Sequence, residues 1–251
     1  MIAVLSDIHA NLEALKAVFA DLKNRNVQTI YFLGDIVGYG PDPVPVLDFM
    51  KHFEFCLMGN HDRATLTGPP KNFNPIARAA TAWTRKQLNP NEMRLKFLKK
   101  AEFEKKARLW RFLMAMKPYR KAGELMFCHD NPSHPGDDKY VRKVEDAEAA
   151  FKINPETSHF FIGHSHVPRI YRPGEMIRPE FGRKYPYGDK VIINVGSVGQ
   201  PRDRDPRACY VVIDDEGFRF IRVAYDFETT MAKIRKSPLN DHLADRLAKG
   251  T

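Results

Sequence analysis

Eight side chains able to bind a divalent metal or a phosphate stand in five short stretches. SDIH holds Asp7 and His9, GDIVGYG holds Asp35, and GNHD holds Asn60 and His61. CHDNP holds His129, and GHSH holds His164 and His166. Each stretch alone is weak: D-x-H and G-D recur by chance, and GNHD or GHSH could simply be a capped turn. Together they repeat one arrangement, an apolar run ending in a carboxylate, amide or imidazole. Packing selects apolar residues and does not select histidine at strand ends repeatedly. Carboxylate, imidazole and amide oxygen suit mid-series divalent ions such as manganese, iron or zinc, and the lack of thiolates argues against a soft-metal site. Seven ligands are too many for one tetrahedral ion and enough for two ions sharing Asp35, with water completing each shell. Ions about 3.5–4 Å apart can bind a phosphoryl oxygen, acidify a bridging water and orient it for in-line attack.

The elements that must position these residues follow from the apolar pattern. IAVLS, TIYFLG and EFCLMG read as strands, with NLEALKAVFADLKN and PVPVLDFMKHF as helices between them. This alternation predicts an α/β core that begins with parallel strands. Side chains two apart on an extended strand point the same way, so Asp7 and His9 can grip one ion, and the same spacing recurs in His164 and His166. Residues 73–116 read as mostly helical, with Trp83, Leu88, Leu95, Leu98, Trp110 and Leu113 available for burial. ELMFCH, HFFIGH, KVIINVG, ACYVVID and FRFIRVAYD read as strands, with antiparallel hairpins expected around turns such as Asp215–Gly217. A last helix is expected over 239–249, with Leu239, Leu243 and Leu247 on one face and Gly250 as its stop.

Composition narrows the setting. The 251 residues are 43% hydrophobic and 28% charged, an ordinary globular balance, expected to form a single domain over 1–251. No apolar run is long enough to span a bilayer. Cys56, Cys128 and Cys209 suggest neither a disulfide framework nor a zinc site. The first strand begins at Ile2 with no room for a signal peptide, so a cytoplasmic setting is expected. Between Arg94 and Lys121, eleven Lys or Arg stand against two Glu, which accounts for the whole net charge of +9. A stretch of this kind is first a solvated helix face. The alternative, that segment 94–121 attracts nucleic acid or a polyphosphate, lacks a recognisable binding motif.

The ordered series D-x-H, GD, GNH-D, H and GHxH resembles the calcineurin-like metallophosphoesterase superfamily. The tail NVGSVGQPRD…DPRACYVVID resembles a bacterial branch described as predicted phosphoesterases or phosphodiesterases. The resemblance implies an α/β (α+β) four-layer α-β-β-α sandwich of two mixed sheets. It also implies a pair of divalent ions, drawn from manganese, iron, zinc, nickel or cobalt. By motif position Asp7, His9 and His166 would hold one ion, and Asn60, His129 and His164 the other, with Asp35 bridging. Asn60 and His61 would contact the phosphate, and His61 would be the general acid for the leaving oxygen. A metal-bridging hydroxide would attack a phosphate mono- or diester of a small molecule or nucleotide.

Two departures refine this. Ser/Thr protein phosphatases of the superfamily read GDxVDRG, whose second Asp supports the catalytic histidine and whose Arg contacts phosphate. Gly38 and Tyr39 occupy those positions here, which weakens a protein-phosphatase reading. Arg63, Arg202 or Arg207 could supply the missing contact, Arg202 first, against the alternative of loop-stabilising arginines. The second departure is Asp130, where related bacterial sequences commonly have glycine. It could bond a ligand histidine or a metal-bound water, but a turn cap is the expectation. His134 lies beyond the motif and is expected to be a bystander. The competing readings are a nuclease or dinucleoside-polyphosphate hydrolase, and a binding scaffold that kept the fold. Scaffold versions lose ligands, and none is lost here.

Overall fold

A computed structural model describes residues 1–71, 73–91 and 100–251. The chain forms two six-stranded mixed sheets. The first is ordered β3-β2-β1-β11-β12-β9, from β1 (Ile2–Leu5), β2 (Thr29–Phe32), β3 (Phe55–Cys56), β9 (Lys184–Tyr185), β11 (Ala208–Asp214) and β12 (Gly217–Val223). The second is ordered β4-β5-β6-β10-β7-β8, from β4 (Tyr119–Ala122), β5 (Leu125–Cys128), β6 (His159–Ile162), β7 (Arg169–Arg172), β8 (Glu175–Ile177) and β10 (Val191–Asn194).

Period-two alternation builds the layers. On β1, Ala3 and Leu5 face α1 (Leu12–Asn24), α2 (Pro43–Asp48) and α5 (Lys100–Ala115), while Val4 faces the other sheet. On β5, Phe127 points between the sheets and Met126 and Cys128 point to α6 (Val144–Ile153). Phe161, Ile193, Val211 and Phe220 complete the apolar layer between the sheets. Both faces of each sheet are therefore buried, which is why these strands read as unbroken apolar runs. The result is the four-layer α-β-β-α sandwich.

The first strands are parallel as expected, Ile2 pairing with Thr29 and Tyr31 with Phe55. β11 and β12 form the expected hairpin around Asp214–Gly217. That hairpin does not belong to a later sheet: β11 lies antiparallel to β1, with Val4 opposite Val211, and so completes the first. The second sheet is parallel at its centre, β5-β6-β10, because α6 carries the chain across between β5 and β6.

The helical expectation for 73–116 resolves into α4 (Pro75–Leu88), capped by Asn74 Oδ1 accepting from Ala77 N, and α5. Leu95 and Leu98 lie outside the described residues. Several features went unread, strands β7, β8 and β9 among them. Helix α3 (Asn60–Thr67) starts inside GNHD, α6 is additional, and α7 (Phe227–Arg235) takes its start from the Asp226 side chain. The end of the basic stretch, 119–122, is the edge strand β4, all of whose residues are exposed. Lysine and arginine on an edge protect it from further pairing. The last helix, α8 (His242–Lys249), begins three residues later than expected. Ser237 Oγ accepts from Leu239 N and Asn240 Oδ1 from His242 N, and these local bonds hold the preceding segment in turns. Gly250 ends it in the left-handed region, at φ 62°. Among the described residues no helix is long and apolar enough to cross a membrane.

Candidate metal centre and active site

The loops after β1, β2, β3, β5 and β6 converge. Asp7 N donates to Gly34 O and His9 N to Asp35 O, each at 3.0 Å, so the loop after β1 runs beside the loop after β2. The expectation that Asp7 and His9 converge because they share an extended strand is incorrect. β1 ends at Leu5, and their φ angles are 55° and 48°. Asp35, Tyr39, Asp138, His164 and His166 also lie in the left-handed region, with φ from 58° to 65°. Each such residue costs about 1–2 kcal/mol, and clustered strain of this kind marks functional sites. His164 and His166 also leave β6 through left-handed backbone, but they part: His166 faces His9 and Asp7, and His164 faces His129.

Each carboxylate is pinned on one side only. Asp7 Oδ2 accepts from His164 N at 3.0 Å, and Asp35 Oδ1 accepts from His61 N at 2.8 Å. Gly59 and Gly163 permit this, because a Cβ at either would collide with the carboxylate it faces. The free oxygens turn inward. Asp7 Oδ1 is 3.0 Å from His166 Nε2, and Asp35 Oδ2 is 3.4 Å from His129 Nε2 and 3.6 Å from His9 Nε2. Buried Asp62 fastens the framework, accepting from Asp35 N, Gly59 N and Val37 N.

The histidine tautomers follow from their outer contacts. His166 Nδ1 donates to Gln200 O at 2.6 Å, and His9 Nδ1 to Val37 O at 3.2 Å. Burial, reinforced by the Arg202 charge, lowers His166 to about 4, so the ring is neutral and its Nε2 is bare. His9 Nε2 and His166 Nε2 then face one another at 3.2 Å, beside the unpartnered Asp7 Oδ1. An unpartnered carboxylate oxygen beside two inward-facing imidazole nitrogens is a donor set for a cation. On the other side, His129 Nε2 lies 3.1 Å from Asn60 Oδ1. His164 Nε2 donates to Asp138 O at 3.2 Å, leaving Nδ1 as the ligating nitrogen, and its ring stacks on Tyr140 at 4.0 Å. The ligand atoms of Asp7, His9 and His166 lie within 4.8 Å of one another, as do those of Asp7, Asp35 and His129.

The electrostatics agree. Burial opposes charge on Asp7 and Asp35, yet the neighbouring histidines, His166 and His129 for Asp7, His129 and His61 for Asp35, outweigh it and hold both carboxyls well below the usual range. Burial should depress His129, but Asp35 and Asp7 raise it to about 10. Burial, with the His129 charge, lowers His164 to about 3. The centre demands positive charge while most of its imidazoles resist carrying a proton, which is the condition a divalent ion meets.

A calcineurin-like phosphoesterase superfamily domain matches residues 1–217. The chain belongs to the calcineurin-like phosphoesterase superfamily. Over its full length it is 37% identical to an uncharacterized protein of Methanocaldococcus jannaschii, of which 98% is covered. It is also similar to a metallophosphoesterase from Sphaerobacter thermophilus, at 33% identity and TM-score 0.82, covering all of this chain and 98% of that one. A protein of Pyrococcus horikoshii OT3 shares the fold at 19% identity and TM-score 0.75, covering all of this chain and 99% of that one. The protein is accordingly a metal-dependent hydrolase of phosphate esters, and the paired divalent ions of a calcineurin-like phosphoesterase fit the donor set described above.

In this phosphoesterase a cavity of about 200 Å³ opens over the centre. Asp35, Asn60, His61, His164 and His166 form its floor, and Tyr39, Phe73, Asn74, Tyr140 and Arg202 stand around it. The arginines separate cleanly. Arg202 lines the cavity, with Nη2 donating to Gln200 Oε1 at 3.0 Å and Nε buried without a partner. Arg63 does not line it: Nη1 donates to Gly136 O and Nη2 pairs with Asp138, fastening the loop that carries Tyr140. Arg207 pairs with Asp205 at the surface. Asp130 is a turn cap, accepting from Gly136 N and from Asp138 N at 2.7 Å. His134 is exposed in the same loop. Described residues of the basic stretch do not line the cavity; Lys105 and Arg108 face Asp48, Lys106 faces Glu102 and Lys121 faces Glu156. Sequence reasoning missed Phe73, Asn74 and Tyr140, which carry no motif.

Proposed function

We propose that the protein hydrolyses phosphate mono- or diesters at a dinuclear centre. Asp7, His9 and His166 would hold one ion and Asn60, His129 and His164 the other, with Asp35 serving both. The observation that carries this reading is the inward-facing donor set, two half-pinned carboxylates meeting the imidazole nitrogens of His9, His129 and His166, with the His9 and His166 rings anchored to backbone carbonyls. The ions would supply Lewis acidity and an activated water. The chain's own residues bind and orient the ester. Arg202 offers donors to its non-bridging oxygens, and the Tyr39 and Phe73 rings confine the group attached to them.

His61 is the proton donor to the leaving oxygen. Its Nδ1 is buried against Gly38 without a partner, which leaves Nε2 toward the cavity. Burial holds the ring neutral, outweighing the pull of Asp35, so an arriving phosphate anion supplies the charge that favours its protonation. Gly38, beside this nitrogen, stands at the motif position of the supporting Asp of the superfamily's protein phosphatases, which weakens a protein-phosphatase reading. The test is hydrolysis of 4-nitrophenyl phosphate and bis(4-nitrophenyl) phosphate with added manganese, abolished by a chelator. No turnover across manganese, iron, zinc, nickel and magnesium would favour a binding scaffold instead.

A further inference from the structure

The His61 ring is held differently from the other imidazoles at the centre. His9, His164 and His166 each donate a ring N–H to a backbone oxygen, and His129 Nε2 faces Asn60 Oδ1. Among the described residues no such bond reaches His61, whose Nδ1 is buried without a partner. Gly38 closes that side: a Cβ there would stand 2.6 Å from Nδ1, so the backbone itself lies against the ring. Rotation of an imidazole about its Cβ–Cγ bond is soft and roughly two-fold, and no polar contact selects one setting here.

The rings around it do. Tyr39 stands 4.3 Å away with the planes at 49°, Phe73 5.0 Å away at 40°, and His9 5.0 Å away at 87°. Tyr39 is the nearest, and it is buried where Phe73 is half-buried. Its side chain packs with Ala77 and Ala80 of α4, Ile234 of α7, and Leu243 and Leu247 of α8. Its backbone is left-handed, at φ 58°, and the next N–H, of Gly40, donates to His9 O at 3.0 Å. Such strain persists only where the surroundings fix the residue. The hydroxyl, by contrast, makes one long contact, 3.5 Å from Arg202 Nη2. The fold has fixed the ring rather than the hydroxyl, and His61 lies against that ring.

We propose that Tyr39 is a positioning residue for proton transfer: its ring, clamped by α4, α7 and α8, sets the plane of the His61 imidazole and so aims Nε2 at the leaving oxygen. Tyr39 acts through His61 and gives up no proton itself. This deepens the phosphoesterase reading and rests on it.

Kinetics of the manganese-loaded protein on 4-nitrophenyl phosphate test it. Tyr39→Leu should lower kcat by about 10–100-fold, the cost of a misplaced catalytic group, with KM changed less. Tyr39→Phe, which keeps the ring, should recover most of that loss. In the His61→Ala background Tyr39→Leu should cost no further kcat, because a residue that acts through another has no effect once the other is gone. Melting temperature and metal content establish that each variant is folded, and Tyr39→Met takes the place of Tyr39→Leu where that variant does not fold. Full kcat in Tyr39→Leu, or the same loss again in the double variant, would overturn the assignment.

A second measurement needs no turnover. In proton–carbon correlation spectra of zinc-loaded, histidine-labelled protein, the His61 ring signal is identified by its loss in His61→Ala. It should be single in the wild type and in Tyr39→Phe, and broadened or doubled in Tyr39→Leu. An unchanged single signal in Tyr39→Leu overturns the positioning role. Broadening without turnover in the wild type removes only the catalytic reading, and turnover with additive losses removes only the positioning role.

Discussion

The floor of the cavity and its rim are built on opposite principles. On the floor each carboxylate has one oxygen fixed by a backbone N–H, His9 and His166 are each anchored to a backbone carbonyl, and Asp62 ties three more N–H groups together. Its left-handed residues persist because the surroundings over-determine them. On the rim, Phe73, Tyr140 and Arg202 are held mainly by ring contacts and single bonds. The difference teaches where each property resides: the floor is specified for one chemistry, and the rim can change substrate without disturbing it.

Substitutions can break that contrast. The largest effect is expected from Asp35→Ala, which removes a carboxylate facing both His9 and His129. Metal content and turnover should both be lost, as read by elemental analysis and aryl phosphate hydrolysis. His61→Ala should keep its metal and lose turnover by about 10²–10⁴. Equal metal loss in these two variants would contradict the separation of holding from proton transfer. On the rim, Arg202→Ala should leave metal content intact and raise KM about tenfold, the loss of one charge-assisted contact. An unchanged KM would show that the rim does not touch the ester. The smallest effect is expected from Arg63→Ala. Its pair with Asp138 is partly exposed, so the loss is about 1 kcal/mol or less of stability by denaturant titration. Its KM change should be smaller than that of Arg202→Ala.

The same division governs what could be read in the sequence. The floor was legible because its residues are chemically unusual at strand ends and fall in a fixed order. The reason first given for their convergence was nevertheless wrong: Asp7 and His9 meet through left-handed backbone, which no alternation pattern encodes. The α/β core was legible from its apolar runs and the four-layer sandwich only through the family resemblance, while the pairing of β11 with β1 was not legible, since nothing local in ACYVVID names its partner. The start of α3 inside GNHD was hidden because a ligand motif and a helix start use the same polar residues. Tyr39 was noticed only as a departure. Phe73, Asn74 and Tyr140 became visible only when three-dimensional proximity placed them around one cavity.

The pairing of β1 with β11 also sets the order in which the active centre can form during synthesis. Asp7 and His9 are made well before the loop that completes their surroundings. Yet Gly199 N donates to Asp7 O and Gln200 O receives His166 Nδ1, and both belong to a loop made near the end. With Ile2 opposite Ile213, a closure spanning most of the chain must precede any return from these contacts. A nascent chain therefore carries Asp7 and His9 long before their surroundings are complete, and the centre cannot be finished until the first sheet closes.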